Sequence, residues 1–277
     1  FNARLIAVLE SEGKLSRTDS VRKYIPELPE YAQPITINHL LHHTSGLQDY
    51  EKLYPKDTTT PLLDADVIKL LAAQKSGDSL PGEKFNYSNS GYAALAIVAE
   101  RATGQRFADL LREKVFLPAG MQNTVAFENG SSTVPNRAYG YEKVEGAWTL
   151  LDQSMTSDVL GDGGIYTSIA DYAEWDHYLR ELSESPDTLP QIVEAYTPGK
   201  LNDGTSTGYG QGWFIEQKEG NMVVQHGGST IGFNHMVRRI PERGFAVVVF
   251  SNHAGPEPKE LAVKIEDLVL GIHSATP

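Results

Sequence analysis

Four apolar runs follow one another from about Gly208 onward: GWFIEQ, NMVVQH, GFNHMVRRI and GFAVVVFSN. Only Lys-Glu-Gly, Gly-Gly-Ser and Pro-Glu-Arg-Gly separate them, so they predict an antiparallel meander of strands joined by tight turns. Such a sheet needs an apolar cover. A helix over roughly 257–272 carries Leu261, Ile265, Leu268, Val269 and Ile272 on one face, suited to packing on it.

The rest of the chain is mostly helical with long connections. Residues 1–15 read as an amphipathic helix, with Phe1, Leu5, Ile6 and Leu9 at helical spacing, Gly13 placed to close it and Asn2 a sound N-cap. Thr36 can cap TINHLLHHTSG, which stops at Gly46, and Asp64 or Asp66 can start VIKLLAAQ. Residues 88–103 form an alanine-rich helix ended by Gly104, and FADLLREKVF follows until Pro118 stops it. Ser168 with Asp171 resembles a capping box ahead of DYAEWDHYLREL. The poorly patterned segment 128–160 is expected to line a cleft or cover one. Together these patterns predict an α/β (α+β) fold, an antiparallel sheet flanked by helices plus a mostly helical lobe.

Composition narrows the function. The 277 residues suffice for one large domain or two intimate ones, and 40% hydrophobic with 22% charged residues is ordinary for a globular chain. A formal charge of −12 argues against a nucleic-acid partner, since phosphate binding needs a concentrated basic surface. No apolar run approaches the ~20 residues needed for a membrane span. The absence of cysteine excludes disulfides, thiolate catalysis and cysteine–zinc sites.

Two pieces carry chemistry. Tyr87-Ser88-Asn89 stands at the mouth of the apolar helix 88–103. A tyrosine there can exchange a proton if neighbouring cations lower its pKa, and an asparagine can hold an amide through both donor and acceptor. The plainer reading makes Tyr87 a space-filler and Ser88 or Asn89 a helix cap. The second piece is His226-Gly227-Gly228-Ser229, at the end of one strand and entering the next. Its glycines let a ligand lie against the backbone, and the Ser229 amide can face a developing oxyanion. The plainer reading is a hairpin turn with a half-exposed histidine.

In order along the chain, HLLHHTSGL (39–47), YSNSGYAALAIVAE (87–100), GDGGIYTS (161–168) and HGGSTIGF (226–233) resemble the serine β-lactamase-like family, which holds class C β-lactamases, penicillin-binding D,D-carboxypeptidases, D-aminopeptidases and related esterases. The family signature is Ser-x-x-Lys, Tyr-x-Asn and Lys/His-x-Gly. Tyr87 and Asn89 match the second motif, and His226 and Gly228 the third. The first normally stands just upstream of a stretch like Phe1-Asn2-Ala3, so the resemblance implies a nucleophilic serine about five residues before Phe1 and a lysine about two before it. It also implies a serine β-lactamase/penicillin-binding-protein-like fold whose two opening strands precede the sequence given. On this reading 1–277 is one catalytic domain fragment, with an α/β subregion of 1–19 plus 206–277 and a helical subregion of 20–205.

Competing motifs are weaker. Ser11 with Lys14 and Ser20 with Lys23 spell Ser-x-x-Lys, but Ser11 sits at a helix end and Ser20 in a polar loop. His39 and His43 have the spacing of a zinc pair, yet position 40 is Leu where a zinc protease needs Glu, so no metal is expected. His177, His235, His253 and His273 read as ordinary histidines.

The implied mechanism is acyl transfer through a serine ester, with no cofactor and a small-molecule or peptide substrate. Tyr87 and the lysine manage the proton, Asn89 holds the acyl side, and the Ser229 amide helps bind the oxyanion. Histidine at 226, where β-lactamases of this group carry lysine, favours esters, amides or D-amino-acid peptides over penicillins. Tyr92 and Asp162 are given no role. The alternatives are a non-catalytic peptide- or partner-binding module of the same fold and, further off, a β-lactamase. The partner expected besides substrate is an N-terminal fragment of the same protein. The resemblance favours a periplasmic or secreted setting without fixing the compartment.

Overall fold

The computed structural model describes residues 1–255 and 257–271. Its contacts divide the chain into two units: Phe1–Val134 with Met155–Gly212, and Pro135–Ser154 with the described residues from Trp213. The first holds seven helices: α1 (Asn2–Ser11), α2 (Ile37–Leu41), α3 (Asp64–Ala72), α4 (Asn89–Thr103), α5 (Phe107–Leu111), α6 (Ile169–Glu184) and α7 (Leu189–Ala195). Its short strands β1 (Val125–Ala126) and β4 (Ile165–Tyr166) pair antiparallel. The second unit holds a hairpin, β2 (Tyr141–Val144) and β3 (Ala147–Leu150), and a four-stranded antiparallel sheet. Its strands run in chain order: β5 (Phe214–Lys218), β6 (Asn221–Thr230), β7 (Phe233–Ile240) and β8 (Phe245–Ser251). Helix α8 (Pro258–Leu270) packs on β7 and β8.

The expected meander is therefore present, and the predominance of helix before it holds. The contacts group α1 differently from the 1–19 plus 206–277 expectation, because Leu5, Ile6 and Leu9 are buried where α1 meets α4 and α5 in the first unit. Residues 135–154, within the span expected to be helical, go with the sheet: Tyr141 N–H donates to Asn252 O at 3.0 Å and Ala254 N–H donates to Tyr141 O at 2.8 Å.

Helix α4 organises the first unit. Its sequence is apolar almost all round, and Ala93 through Ala99 are buried on every face, as expected of a central helix. Small residues let neighbours come close: a Cβ at Gly91 would already stand 3.4 Å from Leu40 O of α2. Gly104 ends α4 in the left-handed conformation, φ 75°, as its position predicted. Ser168 accepts the Asp171 N–H at 3.1 Å and caps α6. Asn2, by contrast, does not cap α1. Its side chain is buried, donating to Tyr92 O at 3.0 Å and Gly161 O at 2.9 Å.

Helix α8 overturns one expectation. Leu261 is 52% exposed and Leu268 81%, with Ile265 and Val269 also exposed, while Ile272, like His273, lies outside the described residues. The face turned to the sheet carries Ala262 and Glu266 instead. Glu266, fully buried, accepts from Arg238 Nε on β7 at 2.7 Å and from Lys218 Nζ on β5 at 2.8 Å. Burial alone would raise the Glu266 pKa, but the two cations outweigh it and hold the carboxyl below its ordinary value. The helix is thus oriented by an ion network rather than by its apolar stripe.

Breaking such a network from one side leaves a buried charge unpaired, which typically costs about 3–5 kcal/mol. Glu266→Ala is expected to lose that much stability. Leu268→Lys, on the exposed face, should change it by less than about 0.5 kcal/mol. Urea unfolding of both variants beside the parent chain checks the orientation of α8.

Candidate active site

The start of α4 is built by the loop that follows α2. Thr36 caps α2 and His39 returns its ring to the Thr36 N–H at 3.1 Å. The helix ends at Leu41, well before Gly46, because His43 turns the backbone to φ 54°. This turn buries the His43 ring 4.1 Å from Tyr87, 5.1 Å from Tyr92 and 4.7 Å from Tyr209, centroid to centroid. His43 Nδ1 accepts the Ser88 N–H at 3.2 Å, and its carbonyl accepts the Asn86 N–H at 2.9 Å. Because Nδ1 accepts, the proton of the neutral ring is on Nε2.

Neither Ser88 nor Asn89 caps α4 with its side chain. Asp49 does that work from outside, accepting the Asn89 N–H at 2.9 Å and also the Glu51 N–H at 2.9 Å. The Asn89 side chain donates Nδ2–H to Glu51 Oε1 at 3.0 Å. Tyr87 is 41% exposed, so the backbone around it is anchored while its ring reaches the surface.

The charged groups acting on Tyr87 among the described residues are carboxylates, while the lysine that the resemblance implies belongs before Phe1. Burial first, then the carboxylates Asp162, Asp49 and Glu51, push its phenol up to about 12. Asp162 accepts the Tyr50 O–H at 2.8 Å and is itself raised, chiefly by burial. Asp64 does not begin α3 with a cap; Asp66 reaches back to the Leu63 N–H at 3.1 Å instead. The Asp64 carboxylate accepts the Leu160 and Gly161 N–H groups, each at 2.9 Å, so it fixes the loop that carries Asp162.

In the sheet unit, His226, Gly228 and Ser229 all lie within β6. The Gly-Gly-Ser stretch expected to be a turn is strand, paired with β7 through Gly228↔His235 and Ser229↔Asn234. The turn comes later, between Thr230 and Phe233, with Ile231 at φ 35°. A Cβ at Gly228 would fall 2.3 Å from the His235 ring, so that exposed side chain would have to swing aside. Strand β5 pairs with Asn221–Gln225 and β7 with Val224–Thr230. Burial lowers the His226 pKa against a 2.8 Å contact of Nδ1 with Gly227 O.

Tyr87 and Asn89 are thus neighbours in the first unit, and His226, Gly228 and Ser229 neighbours in the second. Asp49, Glu51, Tyr50 and Tyr209 had no sequence signal beyond their residue type. His43 did, as part of HLLHHTSGL. Among the described residues no cluster of potential ligands is arranged to hold a metal ion, and no helix is long and apolar enough to cross a membrane.

The beta-lactamase family model matches residues 1–270. A penicillin-binding protein of Bacillus subtilis (strain 168) is 30% identical over 280 residues, covering 95% of this chain and 61% of the relative. A D-aminopeptidase of Gluconobacter oxydans (strain 621H) is 26% identical, covering 82% of this chain and 43% of the relative. An octameric penicillin-binding protein homologue from Pyrococcus abyssi superposes with a TM-score of 0.83 at 26% identity, over 98% of this chain and 64% of that one. The chain spans 61% and 43% of the length of these two curated relatives, less than two thirds in each case.

Asp64 gives the site a pH signature. Burial pushes its carboxyl from 3.8 up to about 7, against the hydrogen bonds of Gly161 and Leu160. Between about pH 4 and pH 7 the folded chain holds a proton that the unfolded chain has released. This contribution to stability therefore falls as pH rises and is lost above about 7. Thermal unfolding from pH 4 to 8 is expected to show the parent chain losing stability relative to Asp64→Asn across that window, and no further above it.

Proposed function

The chain belongs to the beta-lactamase family, and on that premise we propose that it forms most of the active site of a serine hydrolase. It opens esters, amides or D-amino-acid peptides through an acyl-enzyme. The observation that carries the reading is the Tyr87-Ser88-Asn89 tripeptide, its backbone tied to His43 and Asp49 while the Tyr87 ring reaches the surface. In this reading the attacking serine and its lysine belong to chain preceding Phe1. Tyr87 transfers the proton, Asn89 holds the acyl side, and the substrate runs along β6 past His226 and Gly228. The Ser229 amide contributes to the oxyanion site, a donor of a kind typically worth about 3–4 kcal/mol.

His226 supports the narrower choice of substrate. Burial keeps its imidazole below the ordinary range and so neutral at pH 7, without the fixed cation that would hold a β-lactam carboxylate.

The test begins with the mass and N-terminal sequence of the full gene product, followed by a fluorophosphonate probe and a p-nitrophenyl ester. Labelling at a serine upstream of Phe1 with ester turnover is expected. A protein beginning at Phe1 that neither labels nor turns over ester would be a non-catalytic binding module instead. In the labelled protein Tyr87→Phe should lower turnover by at least ~100-fold, the scale of a general acid–base group. Unchanged turnover would remove Tyr87 from the mechanism.

A further inference from the structure

Asn2 is buried, yet only half of its amide is satisfied. Nδ2 donates to Tyr92 O on α4 at 3.0 Å and to Gly161 O at 2.9 Å, which uses both hydrogens and fixes the orientation of the group. The carbonyl oxygen Oδ1 is buried and meets no donor among the described residues. A buried acceptor left so is costly, and each one in a folded chain calls for a reason. The segments that meet here are those of the candidate site. A Cβ on Gly161 would fall 2.4 Å from Tyr92 O and 2.7 Å from Ala93 Cα, so the loop that carries Asp162 lies directly on the first turns of α4. Asn2 joins both to the start of α1.

We propose that Asn2 is a positioning residue of the site, whose Oδ1 accepts a hydrogen bond from the ammonium of the Ser-x-x-Lys lysine and so sets where its positive charge lies. This rests on the hydrolase reading above, which puts that lysine about three residues before Asn2 on the same helix. Residues three apart share a helix face, and helical side chains lean toward the N-terminus, so the Asn2 amide covers the turn from which the lysine projects. An ammonium only donates, which suits the end of the amide that only accepts, and a charge-assisted bond of this kind is among the stronger ones. Both ties, to Tyr92 and to Gly161, would have to break for the amide to turn its nitrogen toward the cation instead. The titratable groups on the elements packed against Asn2 are Tyr92 on α4, Asp64 through the Gly161 N–H, and Asp162 beside Gly161. Arg4, on α1 itself, is turned to Gln191 and Tyr178.

A crystal structure of the full-length protein is the direct test. The lysine Nζ is expected within about 3.2 Å of Asn2 Oδ1, and a separation above ~4 Å overturns the inference. Kinetics of the full-length protein on p-nitrophenyl acetate then separate positioning from a plain structural tie. Asn2→Leu removes the donors and the acceptor, whereas Asn2→Asp removes the donors but keeps an acceptor and makes it anionic. Loss of a tie alone would affect both variants alike. An acceptor favours the charged lysine, so the two should diverge in the alkaline limb of kcat against pH, which lysine and Tyr87 set together. That limb should move down by about one pH unit in Asn2→Leu and up by a similar amount in Asn2→Asp. At pH 7, Asn2→Leu should lower kcat at least ~10-fold with KM within about threefold. Limbs that stay in place, or that move together, overturn the inference and leave the hydrolase reading standing. Melting temperatures show whether both variants fold, and if either does not, the distance in the parent structure decides. No fluorophosphonate labelling and no ester turnover by the parent protein would remove the hydrolase reading as well.

Discussion

His43 holds a backbone conformation, φ 54°, that costs a residue with a side chain roughly 1 kcal/mol or more, so the surrounding packing must over-determine it. The over-determination is visible on every side. Three tyrosine rings enclose the imidazole, the carbonyl binds Asn86, and Nδ1 binds Ser88. Release of the turn would free the segment 86–88, and with it Tyr87. The next residues of the same loop finish the work, because Asp49 supplies the acceptor that the first amide of α4 requires. One strained turn therefore sets both the ring and the tripeptide it supports.

The same loop explains why the site was only partly legible in the sequence. Tyr87-Ser88-Asn89 could be singled out as a motif because it sits at the mouth of a helix whose apolar pattern is unmistakable. The partners that fix it come from residues 43–51, some forty positions earlier, and nothing in local periodicity links the two. The strand meander was legible for the opposite reason, since each strand pairs with its sequence neighbour and local pattern suffices. Within it, Gly227-Gly228-Ser229 read as a turn because paired glycines ordinarily mark one. The register instead sets Gly228 opposite His235 inside the strand pair, a placement that only the pairing reveals.

Helix α8 failed for a third reason. Leu261, Ile265, Leu268 and Val269 form the stronger apolar stripe, and apolar area normally decides which face is buried. Here a fully buried Glu266 faces Arg238, which is itself only 2% exposed. Turning the stripe inward would leave that guanidinium buried without its carboxylate. A buried unpaired charge outweighs the roughly 1.5–3 kcal/mol gained by covering one leucine. The pattern alone could not show this, because the deciding residue lies on another strand.

The electrostatics around Tyr87 constrain its chemistry. A phenol raised by burial and by Asp162, Asp49 and Glu51 stays protonated at neutral pH, so as it stands Tyr87 is a proton donor and not a resting base. A donor is what the leaving group of acyl transfer needs. For the same residue to accept the nucleophile's proton first, a positive charge must come beside it and offset the three carboxylates. A lysine of the Ser-x-x-Lys kind fits that chemistry.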